Sequence, residues 1–392
     1  MPLNSEKQEL LPFAALSASY FAHIGFFNPY LPLWLKELGF GLLAISVLTS
    51  VQSVTRLFAP YAWGMISDHT GERVKLLRYG AVAALIFSSA MWFPLGPVAL
   101  FAVLLLMFTH TSAMMPMSEA ALVHLVSRSG AFDARRYGRV RLWGSLGFLL
   151  TVLAAGAWFE RFGLSHFPAW TLLTLAAVVA SVWCLPDHKE EALHHDHEHP
   201  AIWPLLQQPV LRWFFAAVFF HVLAHIALYV FLSLYLDGLG YSKTAIGLFW
   251  AVSVLLEIGW FFNQARWLPR LRLTGWLVLA AALMAVRMLL TAGLAQAWPL
   301  LLAAQCLHAI TFAAHHTACI ALISHHFPGR LRGRGQALYT VMGYGLPGMI
   351  GGLGGGLLTS TLGLRSVFGF SAVCALIATG CAARLRQLEH RT

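Results

Sequence analysis

Residues 64–75 read GMISDHTGERVK, a polar turn set between two apolar runs. The run before it covers 44–66 and the run after it 74–94. Each matches the ~20 residues that a helix needs to cross a bilayer. Worked outward in both directions, the alternation continues. Apolar runs near 11–35, 44–66, 74–94, 97–126, 139–160, 167–185, 209–236, 244–264, 272–294, 298–326, 334–360 and 364–385 make twelve. The 392 residues are 58% hydrophobic and 11% charged, against roughly 25% charged in soluble domains. The pattern predicts an all-α membrane protein of twelve spans. Its first run is too long for a signal-peptide core and continues into NPYLPLWL, so it reads as an uncleaved span.

The formal net charge is +10, a value that invites a nucleic-acid reading until its distribution is followed. With the N-terminus in the cytoplasm, 20 of the 26 Lys and Arg fall at cytoplasmic helix ends. Lys36, Arg161, Lys243 and Arg365 fall outside, and Arg56 and Arg287 lie within spans. That bias sets membrane orientation; it predicts both termini in the cytoplasm and no nucleic-acid partner. The long loop at 186–208, with PDHKEEALHHDHEHPAIWP, divides the chain into six-span bundles at 1–185 and 209–392. Its tract His194–His199 reads as a solvated linker in preference to a metal site. Cys184, Cys306, Cys319, Cys374 and Cys381 all lie in apolar segments without ligand or disulfide spacing, as packing thiols do. No metal and no cofactor are expected. No nucleophile–base pair or phosphate loop suggests an enzyme. In span eleven, Gly343, Gly345, Pro347, Gly348 and the run GGLGGG at 351–356 read as close helix packing, a reading compatible with a bendable helix.

The opening stretch resembles the G-x-x-x-D-x-x-G-x-R/K signature of the major facilitator superfamily, through Gly64, Asp68, Gly71 and Arg73. Gly64 would let a neighbouring helix approach, Gly71 would make the reversal, and Arg73 would supply a charge for Asp68. The resemblance implies a gating latch on the cytoplasmic side. It also implies two pseudo-symmetric six-helix bundles holding a small-molecule substrate between them, in a monomer spanning a bacterial inner membrane. The stretch PMSEAALVHLVSRSGAFDARRYGRVRLWGSLGF, residues 116–148, resembles the connection between spans four and five in the lactose permease family. There a carboxylate pairs with the second arginine of G-R-x-R, which implies a Glu119–Arg141 pair here. YGRVRLWGS, RGRGQALYTVMGYG and LPLWLKELGF resemble the phenylpropionate permease branch more closely.

Ionisable groups at membrane depth cost roughly 2.5–3.5 kcal/mol each on insertion scales and mark functional sites. Residues 253–262, SVLLEIGWFF, carry Glu257 in an otherwise apolar span; Arg287 lies in span nine and His308 in span ten. A carboxylate pulled one way by burial and the other by a guanidinium can load and release a proton, and a histidine titrates near neutrality. The lactose permease resemblance aligns this trio with that family's proton and substrate site. A structural ion pair between spans eight and nine is the alternative. A proton-linked glutamate of that family is here Thr311, which cannot carry a proton, so coupling would run through Glu257, His308 or Glu119. His308 and His315 are seven apart, and His221 and His225 four apart; each pair is expected on one helical face. The second pair reads as cavity-lining rather than zinc-binding.

Arg56 shares a face of span two with Thr49, Gln52 and Ser53. Its fork of donors suits a carboxylate, and a structural partnership with Glu119 is the rival reading. Phe148 stands where lactose permeases stack a sugar on tryptophan, and phenylalanine suits an apolar aromatic ring. Trp260, three residues after Glu257, is expected to line the pocket, and His315 is grouped with the substrate contacts. Taken together, these readings predict a proton-coupled symporter for a small aromatic carboxylic acid, driven by the proton gradient alone. A sugar or nucleoside symporter, a drug exporter and a membrane receptor are the rival classes.

Overall fold

A computed structural model of the chain describes residues 3–126, 134–186, 203–327 and 331–389. The histidine-rich tract at 194–199 lies outside them. Among the described residues the structure is helical throughout, and twelve helices are long and apolar enough to span a membrane. They are α1 (Leu10–Glu37), α2 (Leu42–Thr70), α3 (Arg73–Trp92), α4 (Pro97–Leu122), α5 (Val140–Phe162), α6 (Leu164–Trp183), α7 (Pro209–Gly238), α8 (Lys243–Arg270), α9 (Leu273–Leu294), α10 (Trp298–His326), α11 (Arg334–Leu362) and α12 (Leu364–Glu389). Several run past the apolar runs that announce them, because a helix keeps its hydrogen bonds after its side chains have turned polar. Large apolar side chains such as Leu150, Leu173, Phe262 and Leu362 are exposed, as a hydrocarbon solvent permits. The backbone polar groups are satisfied inside the helices, as that solvent demands.

The chain forms two compact units, Met1–Phe40 with Val54–Asp196, and Gly41–Ser53 with His197–Thr392. Within the first, α1 packs on α5 and α6, and α3 packs on α4 and α6. Within the second, α7 packs on α11 and α12, and α9 packs on α10 and α12. The neighbour pattern repeats with each helix number raised by six, so the two halves share one internal design.

Close approach between helices depends on residues without bulk. In the first unit, a Cβ added at Gly147 would overlap the backbone of Ala18, and one at Gly25 would press on the Phe148 backbone. In the second unit, Gly348, Gly352 and Gly356 of α11 face Ser53, Ser50 and Ser46 of α2, where added Cβ atoms would overlap the serine hydroxyls. Ser46 and Ser50 donate back to the carbonyls of Leu43 (2.8 Å) and Ser46 (2.6 Å), which keeps their hydroxyls satisfied against an apolar surface. The packing reading of the α11 glycines therefore holds for these positions. The same helix also widens into a π-helix over Val341–Gly345, and α10 does so over Ala309–Ala314.

The opening motif divides in its outcome. Gly71 adopts φ +68°, and its N–H donates to the Ser67 carbonyl at 2.8 Å, ending α2 with the expected reversal. Arg73 donates to Asp68 Oδ1 and to Ser67 Oγ, both at 3.2 Å. Within its own unit, a Cβ at Gly64 would meet nothing among the described residues within 4 Å.

Gly147→Ala is expected to lower the yield of folded, monodisperse protein about tenfold, since overpacking costs roughly 1–3 kcal/mol and the obstacle here is backbone. Gly354→Ala, whose Cβ would meet open space, is expected to match the parent. Size-exclusion profiles of a fluorescently tagged protein in detergent compare the two, and equal yields would refute the close α1–α5 contact.

Candidate functional site

The second unit holds its charged centre on α8, α9 and α10. Arg287 of α9 is only 2% exposed, and a buried guanidinium is tolerable only when its donors are used. Its Nη2 donates to Gln305 Oε1 at 2.8 Å, and its Nη1 to Thr311 Oγ1 at 3.1 Å and to His308 Nδ1 at 3.0 Å. Gln305 Oε1 accepts a further bond from Ser253 Oγ at 3.2 Å. A guanidinium has no acceptor, so His308 Nδ1 must present its lone pair and the ring proton resides on Nε2. That nitrogen faces Glu257 Oε2 at 3.4 Å. The fold thus joins Glu257, His308 and Arg287 in one chain of contacts. Side-chain exposure falls from 21% at Glu257 to 7% at His308, so the carboxylate is the end that water reaches.

Beside this chain lie two cavities of about 20 and 10 Å³, each with room for about one water. His225, Tyr229, Ser253, Arg287, Gln305 and His308 line the smaller. His221, His225, Tyr229, Phe312, His315, His316, Tyr339 and Tyr344 are among the residues around the larger. His221 and His225 therefore do line a cavity. The π-helix in α10 changes the expected stripe. His308, Phe312 and His316 stack in sequence, with centroids 5.0 and 6.1 Å apart and planes within 9°. His315 turns instead onto His221, 3.8 Å away and nearly parallel. A seven-residue spacing keeps one face only in an α-helix, and the wider π turn breaks that register. The Thr311 carbonyl, within that π-helix, accepts from His221 Nε2 at 2.7 Å. Among the described residues no three side chains converge in a way that could hold a metal ion.

Trp260 is a second correction. It is buried against Trp267 and Trp276, with centroids 5.3 and 5.0 Å away, and lines neither cavity. Three residues along α8 rotate it from the Glu257 side toward α9. In the first unit, Arg141 Nη1 donates to Glu119 Oε1 at 2.7 Å, and its guanidinium lies 5.3 Å from the Phe21 ring centroid. Glu119 is thereby paired with Arg141 rather than with Arg56. Among the described residues Arg56 makes no ion pair, although it lies within electrostatic range of the Tyr20 hydroxyl together with Glu119 and Arg141. Phe148 is half-buried on α5, its backbone against Gly25 of α1.

Sequence reasoning missed Gln305, Ser253, Tyr339 and Tyr344. Gln305 carried a signal, as the one amide in LLAAQCLHAITF, a turn before His308. The tyrosines carried none, because aromatic residues fill every span.

The MFS_1 like family profile matches residues 15–370. Over 360 residues the chain is 27% identical to a probable 3-phenylpropionic acid transporter of Escherichia coli (strain K12), covering 91% of this chain and 93% of that protein. It is 28% identical over 338 residues to a maltose permease of Geobacillus stearothermophilus, covering 85% and 83%. The crystal structure of a point mutant of the nucleoside transporter NupG superposes with a TM-score of 0.84 at 16% identity, over 96% of this chain and 99% of that one. Twelve apolar helices, an internal six-helix repeat and a family match over most of the chain agree: this is a multi-pass membrane transporter, not an enzyme, and it belongs to the MFS_1 like family within the major facilitator superfamily.

Proposed function

We propose that the protein is a proton-coupled symporter that imports a small aromatic carboxylic acid across a bacterial inner membrane by alternating access, with both termini in the cytoplasm. The observation that carries the reading is the Glu257–His308–Arg287 chain. While Arg287 donates to His308 Nδ1, that imidazole has no free lone pair for a second proton. Glu257 is then the group that loads. Protonation cancels its charge and removes its hold on His308 Nε2–H, so the chain has two arrangements that differ by one proton. No resident cofactor enters this reading.

The substrate class is supported from the first unit. Arg56 offers a guanidinium that no carboxylate among the described residues occupies, and Phe148 offers an aromatic face. A relative at 27% identity carries the description of a 3-phenylpropionic acid transporter, which fits an acid joined to a ring. A sugar substrate is the second reading, favoured by the Glu119–Arg141 pair at 2.7 Å, a polar clamp suited to hydroxyl groups, and by the maltose permease relative. Asp68 and Arg73, paired across the Gly71 turn, are assigned to gating.

The test is reconstitution into liposomes with an imposed pH gradient and a panel of 3-phenylpropionate, maltose and nucleosides. Gradient-driven accumulation of 3-phenylpropionate is expected, and accumulation of maltose alone would favour the second reading. Glu257→Gln should abolish accumulation while preserving exchange of preloaded substrate; undiminished accumulation would reject its coupling role. Arg56→Ala should weaken uptake of the acid by about tenfold or more, the scale of a lost charge-assisted hydrogen bond of roughly 1.5–3 kcal/mol. Equal losses for acidic and neutral substrates would make Arg56 structural.

A further inference from the structure

The two cavities of the second unit contain more buried hydrogen-bonding capacity than the protein satisfies. Four buried atoms on their linings find no partner among the described residues: His221 Nδ1, His225 Nε2, Arg287 Nε and Gln305 Nε2. Buried polar atoms are rarely left so, and each such atom calls for an explanation. Waters of the size these cavities admit, each with two to four polar partners, would supply one. Both π-helices border the larger cavity, one contributing Thr311 and Phe312 and the other Tyr344. Such interruptions gather at functional sites.

His225 belongs to both linings. Its ring lies 5.4 Å from that of His308 and 4.8 Å from that of Tyr229. Beyond it, His316 Nδ1 is 3.2 Å from the hydroxyls of both Tyr339 and Tyr344. The geometry points to a water-bridged proton relay through His225, running between the Glu257–His308 pair and the His316–Tyr339–Tyr344 cluster. This rests on the proton-coupled reading above and adds a route to it.

The step balances within the imidazole. A proton delivered by water in one cavity binds one ring nitrogen of His225. The other nitrogen gives its own proton to water in the next cavity, and the ring is left neutral in the opposite tautomer. His221 cannot do the same while its Nε2–H is committed to the Thr311 carbonyl at 2.7 Å; its Nδ1 lone pair holds water instead. The groups facing His225 are His221 and Tyr229 on its own helix, Arg287 from α9, and His308 and His315 from α10. None of these is a carboxylate, so a proton on His225 is passed on rather than stored. Arg287 sets the entrance, since His308 Nδ1 opens to the smaller cavity only when the guanidinium lets go.

The experiment compares His225→Phe, which keeps a ring without exchangeable protons, with His225→Gln, which keeps hydrogen bonding without a relay. Proteoliposomes are assayed for 3-phenylpropionate exchange at equal pH and for uptake under a pH gradient, with internal pH followed by a trapped dye. In both variants, exchange within about twofold of the parent is expected, with gradient-driven uptake and proton entry slowed about tenfold. Parent-like proton entry in both variants overturns the relay alone. Parallel loss of exchange and uptake in both overturns it in favour of a structural role. Parent protein that accumulates the acid without moving protons defeats the relay together with the proposed function.

Discussion

A guanidinium at membrane depth is the constraint around which the second unit is built. Arg287 cannot shed its charge as a buried carboxylate can, so its surroundings must provide acceptors. Gln305, Thr311 and His308 do so from a single neighbouring helix. Once those acceptors are committed, other features follow. His308 has one tautomer, its Nε2–H points at Glu257, and Ser253 is drawn onto the amide that already serves the arginine. The centre is therefore one hydrogen-bonded unit. In such networks a change at one member is felt by all of them.

The fold was legible because its causes are coarse. Twelve runs of apolar residues separated by short polar turns leave little choice in a solvent that offers no hydrogen bonds. The Gly71 reversal could be read from a glycine between Asp68 and Arg73. The convergence of Glu257, Arg287 and His308 was legible for a related reason: charges in hydrocarbon must find each other. Finer geometry was not. Trp260 and His315 were placed by counting around an ideal α-helix. His315 does line the larger cavity, on His221, but the π-helix between it and His308 keeps it out of the His308–Phe312–His316 stack. Trp260 failed because two further tryptophans on α8 and α9 give it a better-packed site.

The two units differ in the side chains they carry. Arg56, Phe148 and the Glu119–Arg141 pair, which the proposed function assigns to the substrate, belong to the first. The titratable chain and the histidine-lined cavities belong to the second. The halves share a neighbour pattern, so the difference between them lies in side chains and in the two π-helices rather than in helix arrangement. One helix arrangement, used twice, thus carries a different set of side chains in each copy.

The π-helix in α10 has an arithmetic consequence. An α turn closes over four residues and a π turn over five, so the segment carries one residue more than a regular helix of equal rise. Deleting a single residue between Ala309 and Ala314 would restore the ordinary winding and leave the side chains on either flank facing as they do now. The surplus residue is absorbed where it stands, so His308 on one flank and His315 with His316 on the other keep their places whether or not it is present. What the deletion removes is the widened turn itself, with Thr311 and Phe312 at the cavity wall.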